Sequence, residues 1–537
     1  MTLQAPVELP AARALARAPA PLGAGDGAAE YTPRQPEGTL LYQTVRDELE
    51  PFLARARQRD RPAPPFIEQE LRAFLRCGIL EHGFLRLRCD ECHLERLVPF
   101  SCKRRGFCPS CGGRRMADTA AHLVDRVLPE VPVRQWVLTL PYPLRYRCAY
   151  DAKLTSQVLQ AFVRALFAEL RRRVRHELGR RAEQCGAVTF LQRFGSALNL
   201  NLHFHTLALD GAYLYDPRPG TAPEFIALPP PTGDHVARVL VGAARRLRRL
   251  IEARSDGDDD ALARDEPLLA LLAQASLRTR IATGPDAGQP WRRLGDRVEP
   301  STEAARGDEA QAALARHAEL SLHAAVAVPA RDRHRLERLC RYVGRPPLGR
   351  DRLESRTDGR LALRLKTRWR DGTSHILMER RDLLDRLVPL IPPPRAHQVR
   401  YHGILAPAAS LRERVVPAHP GAAGPADSPS PSEASARNET PACDAVTSPR
   451  QRMRWAALLQ RVFAIDALSC PRCGATLRAI AAIEDPAVAR AILECLGLTA
   501  RAPPPAAAHS AEPAASTPDP ADDPPFDFDQ RSAYEDD

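Results

Sequence analysis

The sequence predicts an α+β fold in which an antiparallel sheet carries helices on one face, with a small zinc-binding domain ahead of it and disordered termini. Three observations lead there. Strand-like runs at Trp136–Leu140, Ala187–Phe194 and Leu200–Leu209 frame one long helical pattern in a β-α-β-β order, the last two close enough to form a hairpin. Two Cys-x-x-Cys knuckles, Cys89–Cys92 and Cys108–Cys111, are separated by fifteen residues. Both ends of the chain are rich in alanine and proline and show no hydrophobic period.

Residues 1–36 read as a disordered leader. Residues 40–116 hold a helical pattern (Val45, Leu49, Phe52, Leu53), broken by Arg61-Pro62-Ala63-Pro64-Pro65, and then the zinc-binding domain. The main domain spans about 130–415. Within it a helix is predicted over Thr155–Leu178, with Val158, Leu159, Phe162, Leu166 and Leu170 on one face. Residues 233–315 are polar and mostly helical, an insertion or separate lobe, and Leu320–Val328 returns to a strand. Asp332–Val343 reads as an arginine-rich helix stopped by Gly344 and Pro346-Pro347, with Leu336, Leu339, Cys340 and Val343 as its buried stripe. Tyr342 lies off that stripe, among Arg338, Arg341 and Arg345. Residues 416–449 form a linker rich in Ala, Pro and Ser. A small helical module at 450–500 opens on the amphipathic Trp455–Phe463, and 501–537 is an acidic, disordered tail.

The 537-residue chain has a formal net charge of +11, yet its tail from Ala502 holds nine acidic residues against Arg531, which leaves +19 on the rest. Such an excess favours a polyanionic partner, and nucleic acid is the commonest. Of the 77 basic residues only Lys103, Lys153 and Lys366 are lysine, a bias that reads as a GC-rich genome and inflates the arginine count. No apolar run approaches the roughly 20 residues that span a bilayer, and the N-terminus has no signal core. The expected location is the bacterial cytoplasm, without a membrane partner. There the 13 cysteines stay reduced, which favours metal ligation or burial over disulfides.

Cys89, Cys92, Cys108 and Cys111 have the spacing of a four-thiolate zinc site, each knuckle gripping the ion through two sulfurs at about 2.3 Å. The polar span between them cannot build a core, so metal binding would supply the folding energy. Cys77, Cys102 and His82 lie close in sequence, and a second site or a different choice of four stays open. Lys103, Arg104, Arg105, Arg114 and Arg115 flank the second knuckle as a basic surface suited to DNA phosphates. Further along, Cys470 and Cys473 provide two ligands only. Cys443 and Cys495 are the candidates to complete a site there.

His203 and His205 sit on one face of a strand, roughly 6–7 Å apart along it, as two rises of about 3.3 Å require. That gap suits two imidazoles converging on one metal ion. The plainer alternative is a pair of ordinary histidines in a half-buried strand.

Three segments together resemble a known family: Gln192 to His205, Ser101 to Cys111, and Leu336 to Leu348. They are similar to transposases of the insertion sequence ninety-one type, rolling-circle enzymes of the HUH class. Arg370-Asp371-Gly372-Thr373, Arg400-Tyr401-His402-Gly403 and Trp455 to Gly474 add further matches in family order. The resemblance implies an HUH-endonuclease-like catalytic domain that nicks and joins DNA through an active-site tyrosine. The histidine pair would help hold Mg2+ or Mn2+, which polarises the scissile phosphate, and tyrosine attack would leave a 5′-phosphotyrosine and a free 3′-hydroxyl. The expected substrate is single-stranded or hairpin DNA at the ends of a mobile element.

On this reading Tyr342 is the nucleophile, and Arg341 and Arg345 offset charge on the phosphorus. A phenol with a reference pKa of about 10 needs a metal or a base nearby to act at neutral pH. Gln192 on the preceding strand is the candidate third ligand, with His323 as a second. Paired-tyrosine members carry another tyrosine one turn before the nucleophile; here that position is Arg338, which implies the single-tyrosine branch. Tyr401, in a Tyr-His-Gly loop signal, is the alternative nucleophile. Two rival functions stand beside this one: a zinc-dependent DNA-binding protein without catalysis, and a metal hydrolase built on His203 and His205 in a barrel.

Overall fold

The computed structural model describes residues 31, 34–181, 184–214, 223–252, 260–295, 313–317, 319–369, 371–417, 455–463 and 465–498. Of the expected leader (1–36) only residues 31 and 34–36 are among them, of the linker (416–449) only 416 and 417, and the acidic tail (501–537) lies wholly outside.

Two helices, α1 (Leu40–Gln58) and α2 (Pro65–Arg76), flank the predicted proline-rich break. The Thr39 hydroxyl caps α1 by accepting from the Tyr42 amide, and Pro65 opens α2 at a position where no amide donor is needed. Next come β1 (Phe84–Cys89), β2 (Glu95–Pro99), α3 (Pro109–Arg126), β3 (Val133–Thr139), α4 (Tyr142–Tyr150) and α5 (Ala152–Leu178). The hairpin strands are β4 (Gly186–Phe194) and β5 (Leu200–Leu209), followed by β6 (Gly211–Tyr213), β7 (Phe225–Ala227) and α6 (Gly233–Glu252). Then follow α7 (Ala261–Asp265), α8 (Pro267–Leu277), β8 (Arg292–Gly295), β9 (Leu314–His317), β10 (Leu320–His323), β11 (Ala327–Val328) and α9 (Arg333–Val343). The described chain ends with β12 (Leu353–Ser355), β13 (Leu361–Arg364), β14 (Thr373–Met378), α10 (Arg380–Leu387), β15 (Val399–Gly403), α11 (Trp455–Phe463), β16 (Leu477–Ile483) and α12 (Pro486–Cys495).

The fold is α+β. Its main sheet has the order β15-β4-β5-β3-β10-β9, with β11 also on β3, and every pairing is antiparallel. Among the described residues it is an open sheet with β15 and β9 at its edges, without the closed barrel that the hydrolase reading needs. Smaller sheets run β12-β13-β14-β8 and β16-β1-β2.

Helices cover both faces of the main sheet, where the sequence suggested one. On the first face Trp136, Leu138, Leu202 and Phe204 pack against Phe162 and Leu166 of α5 and Val239 and Leu240 of α6. On the other, Val188, Phe190, Leu207 and Leu209 pack against Leu123 and Val124 of α3 and Leu336 and Leu339 of α9. The histidines make one face of β5 look polar and solvated, yet all ten of its residues are buried. The covering helices are far off in sequence, so periodicity cannot assign them to that face. Residues 233–252, expected within an insertion or separate lobe, are likewise part of this core as α6.

The end of β5 is held by a buried ion pair. Asp210, anticipated only as a turn residue, accepts from Arg134 at 2.7 Å, and a second Arg134 nitrogen donates to the Ala324 carbonyl at 3.0 Å. Removing one partner of such a pair strands the other charge. Asp210→Ala is expected to cost about 3–5 kcal/mol of stability, read from the denaturant midpoint. A midpoint unchanged from the parent would refute this role.

Candidate functional site

β5 presents His203 and His205 on the face covered by α9, and antiparallel register places Gln192 of β4 opposite His203. Both histidines are buried. Their Nε2 atoms lie 3.0 Å apart, and the Gln192 Oε1 is 3.3 Å from the His205 Nε2. The His203 Nδ1 meets the Asn201 carbonyl at 2.7 Å, which it can only donate to, so its Nε2 keeps a lone pair. The Gln135 side chain meets the His205 Nδ1 at 2.6 Å and orients that ring. Burial pushes His203 down to about 3, and Arg345 and Arg145 add to the effect despite the Asn201 hydrogen bond; burial, His203 and Arg345 hold His205 well below the ordinary value. Both imidazoles are therefore neutral near pH 7, the form that ligates metal.

These donors fit a divalent cation. Two ligands about 2.1 Å from one octahedral ion are about 3.0 Å apart. The Gln192 Nε2 has no hydrogen-bond partner among the described residues, so the amide is held by its oxygen end. His323 shares the face through its register with Val137, which in turn faces His205, and so stands two strands from the pair where Gln192 touches it.

Tyr342 lies on α9 with its ring edge-on to His205, centroids 6.0 Å apart. The Arg345 guanidinium sits 4.2 Å from the tyrosine ring centre and the Lys366 ammonium 5.5 Å from it. Arg341 goes elsewhere, pairing with Glu337 at 2.5 Å, because one residue along a helix turns the side chain by about 100°. Lys366 was missed in the sequence. A retained lysine in a chain that otherwise uses arginine was the available signal. Tyr401 lies on β15 opposite Val188, a strand and not the loop expected of Tyr-His-Gly.

The structure regroups the cysteines. Cys89, Cys92, Cys108 and Cys111 are not brought together. One quartet is Cys77, Cys102, Cys108 and Cys111, and the other is Cys89, Cys92, Cys470 and Cys473; in each, the sulfurs lie within 4.8 Å of one another. The reason is the fold of the loop: β1 and β2 carry the first knuckle away from the start of α3, and Cys77 at the end of α2 and Cys102 just after β2 take its place. Cys102 to Cys111 is 3.3 Å and Cys77 to Cys111 3.6 Å, against about 3.8 Å between thiolates of a tetrahedral zinc site. Contacts from the Cys102, Cys108 and Cys111 thiols hold the Cys77 sulfur far below the ordinary thiol value, and the same network pushes Cys108 far above it. Four thiolates packed this closely need a cation between them. Cys495 is exposed on α12 and outside both quartets, and Cys443 lies outside the described residues.

The first quartet adjoins the tyrosine helix. Gly112, next to Cys111, lies so close to Pro346 that an added Cβ would stand 2.6 Å from that ring. Around it Lys103, Arg104, Arg105 and Arg114 are exposed, whereas Arg115 donates to the Lys103 and Arg104 carbonyls at 3.0 and 3.2 Å and braces the loop.

Two family models match the chain. The one described as "Putative transposase" covers residues 186–413, and the "Transposase zinc-binding domain" of the IS91 type covers 46–140. Together the two matches support an IS91-family transposase. No curated protein and no solved structure matches it. For this transposase the zinc-binding domain and the two cysteine quartets support structural zinc, and the family implies DNA as substrate. Among the described residues no helix is long and apolar enough to cross a membrane.

Proposed function

We propose that this transposase nicks and joins single DNA strands through a 5′-phosphotyrosine on Tyr342, in an HUH-type catalytic unit spanning about 130–415. The observation that carries the reading is the meeting of the Tyr342 ring with the neutral His205 imidazole and with two cations, Arg345 and Lys366. His203, His205 and Gln192 would hold Mg2+ or Mn2+, which when bound polarises a phosphate oxygen. The Tyr342 oxygen attacks phosphorus as its proton leaves, the bond to O3′ breaks, and the departing oxygen takes up a proton to give the free 3′-hydroxyl. Arg345 and Lys366 offset the charge that builds on phosphorus. Lys103, Arg104 and Arg114 supply phosphate contacts outside the reacting centre. Single-stranded or hairpin ends of a mobile element are the proposed substrate.

The test is incubation of the purified protein with single-stranded candidate element ends and Mg2+ or Mn2+. A covalent protein–DNA adduct is expected. DNA binding without an adduct would point to a binding protein that does not transfer strands.

Lys366 gives the site a pH dependence. Burial pushes it down to about 8, and Arg345 and Arg352 add to the effect. Phosphate favours the charged amine, so above pH 8 binding must take up a proton. Affinity for single-stranded DNA is expected to fall by up to about tenfold per unit there, and Lys366→Arg to remove that step. Matching pH profiles by fluorescence anisotropy would exclude Lys366.

A further inference from the structure

The second cysteine quartet joins parts of the chain far apart in sequence. The Cys89 and Cys473 sulfurs are 3.5 Å apart across 384 positions, and those of Cys92 and Cys470 are 3.5 Å apart across 378. The two knuckles are built alike. In the first, the Cys89 amide donates to the Leu94 carbonyl at 2.9 Å and the His93 amide to the Cys89 carbonyl at 3.1 Å. In the second, the Cys470 amide donates to the Ala475 carbonyl at 2.7 Å and the Gly474 amide to the Cys470 carbonyl at 2.8 Å. His93 and Gly474, each just after the second cysteine, have positive φ of 59° and 76°. Two matching turns thus face each other with four sulfurs between them.

The same stretches pair as strands. β16 lies antiparallel on β1 from Phe84↔Ile483 to Cys89↔Leu477. Small apolar clusters sit at either end, Phe84 with Leu493 and Leu87 with Leu477. Neither is large enough to hold a segment of this size firmly, because clusters of a few side chains bury little area. A shared metal would close the joint.

We propose that Cys89, Cys92, Cys470 and Cys473 bind a second zinc ion that clamps residues 455–498 onto the N-terminal zinc-binding region. The clamp has a consequence for the transposase reading, on which this part rests. α11, just ahead of the second knuckle, carries Arg461, which pairs with Asp125 of α3 at 2.5 Å and with Glu337 of α9 at 2.7 Å. Glu337 is the partner of Arg341 on the helix that bears Tyr342. The clamped segment therefore braces α9 from its outer side, and Arg461 is a positioning residue.

Full-length protein, purified with zinc and under reducing conditions, tests this without DNA. The wild type is expected to hold two zinc ions, one for each quartet, and Cys470→Ser with Cys473→Ser to hold one. The amides of β1 and β16 should then exchange hydrogen faster while those of α1 and α2 stay protected. Two zinc ions retained in the double variant would overturn the clamp. If that variant does not fold, cobalt(II) titration of the wild type decides: a tetrathiolate spectrum saturating at two equivalents supports the clamp, and saturation at one refutes it. For the brace, Arg461→Ala should keep both zinc ions yet form adduct several-fold more slowly, with Arg461→Lys restoring part of the rate. An unchanged rate would remove the brace and leave the clamp standing, and absence of adduct in every protein, wild type included, would tell against the catalytic reading alone.

Discussion

Tyr342→Phe is expected to abolish the covalent adduct while leaving folding, zinc content and DNA binding close to those of the wild type. The change removes one oxygen and keeps the ring that meets His205 and the Arg345 guanidinium. α9 carries no other hydroxyl, and its one thiol, Cys340, is fully buried and pushed up to about 12 by that burial, so the loss should be complete. Tyr401→Phe is expected to form adduct normally, because Tyr401 lies on edge strand β15. Mass spectrometry of the adduct checks both. A phosphotyrosine mapping to any other residue would overturn the assignment.

His203→Ala together with His205→Ala is the second large effect. These side chains supply both nitrogen donors of the proposed cation site, and their loss should also end the dependence of the residual reaction on Mg2+ or Mn2+. Losing a Lewis acid worth several kcal/mol corresponds to roughly a thousandfold drop in adduct formation. Both rings are buried, so the variant must first be shown to unfold cooperatively and to keep its zinc. A well-folded double variant with wild-type rate and metal response would dismiss the cation site.

Much of this centre was legible in the sequence because its signals are local. The His-x-His alternation fixes a shared strand face, the short connection from β4 to β5 puts Gln192 opposite His203, and the apolar stripe of α9 leaves Tyr342 off the buried seam. Long-range information was not legible. A Cys-x-x-Cys pair says that two sulfurs can share an ion, but nothing in its spacing says which other pair completes the four, and proximity made Cys89 and Cys92 look like partners of Cys108 and Cys111. Lys366 reaches Tyr342 from just beyond β13, a separate sheet, and Gln135 reaches His205 from β3. Arg341 was misplaced for a simpler reason: charge near a tyrosine in sequence is not charge near its hydroxyl once the helix has turned.

The pairing of β1 with β16 also sets a timetable for synthesis. A ribosome adding about 5–20 residues per second needs about 20–80 s to travel the 384 positions from Cys89 to Cys473. Throughout that interval β1 has an open hydrogen-bonding edge and the Cys89 and Cys92 thiols stand without their opposite pair. A nascent or prematurely terminated chain is thus chemically distinguishable from a finished one, by an exposed strand edge and two thiols that lack their opposite pair. Such exposed edges are what chaperones hold and what aggregation recruits. Shortened copies of the gene would therefore yield chains that advertise their own incompleteness, whatever the state of their catalytic residues.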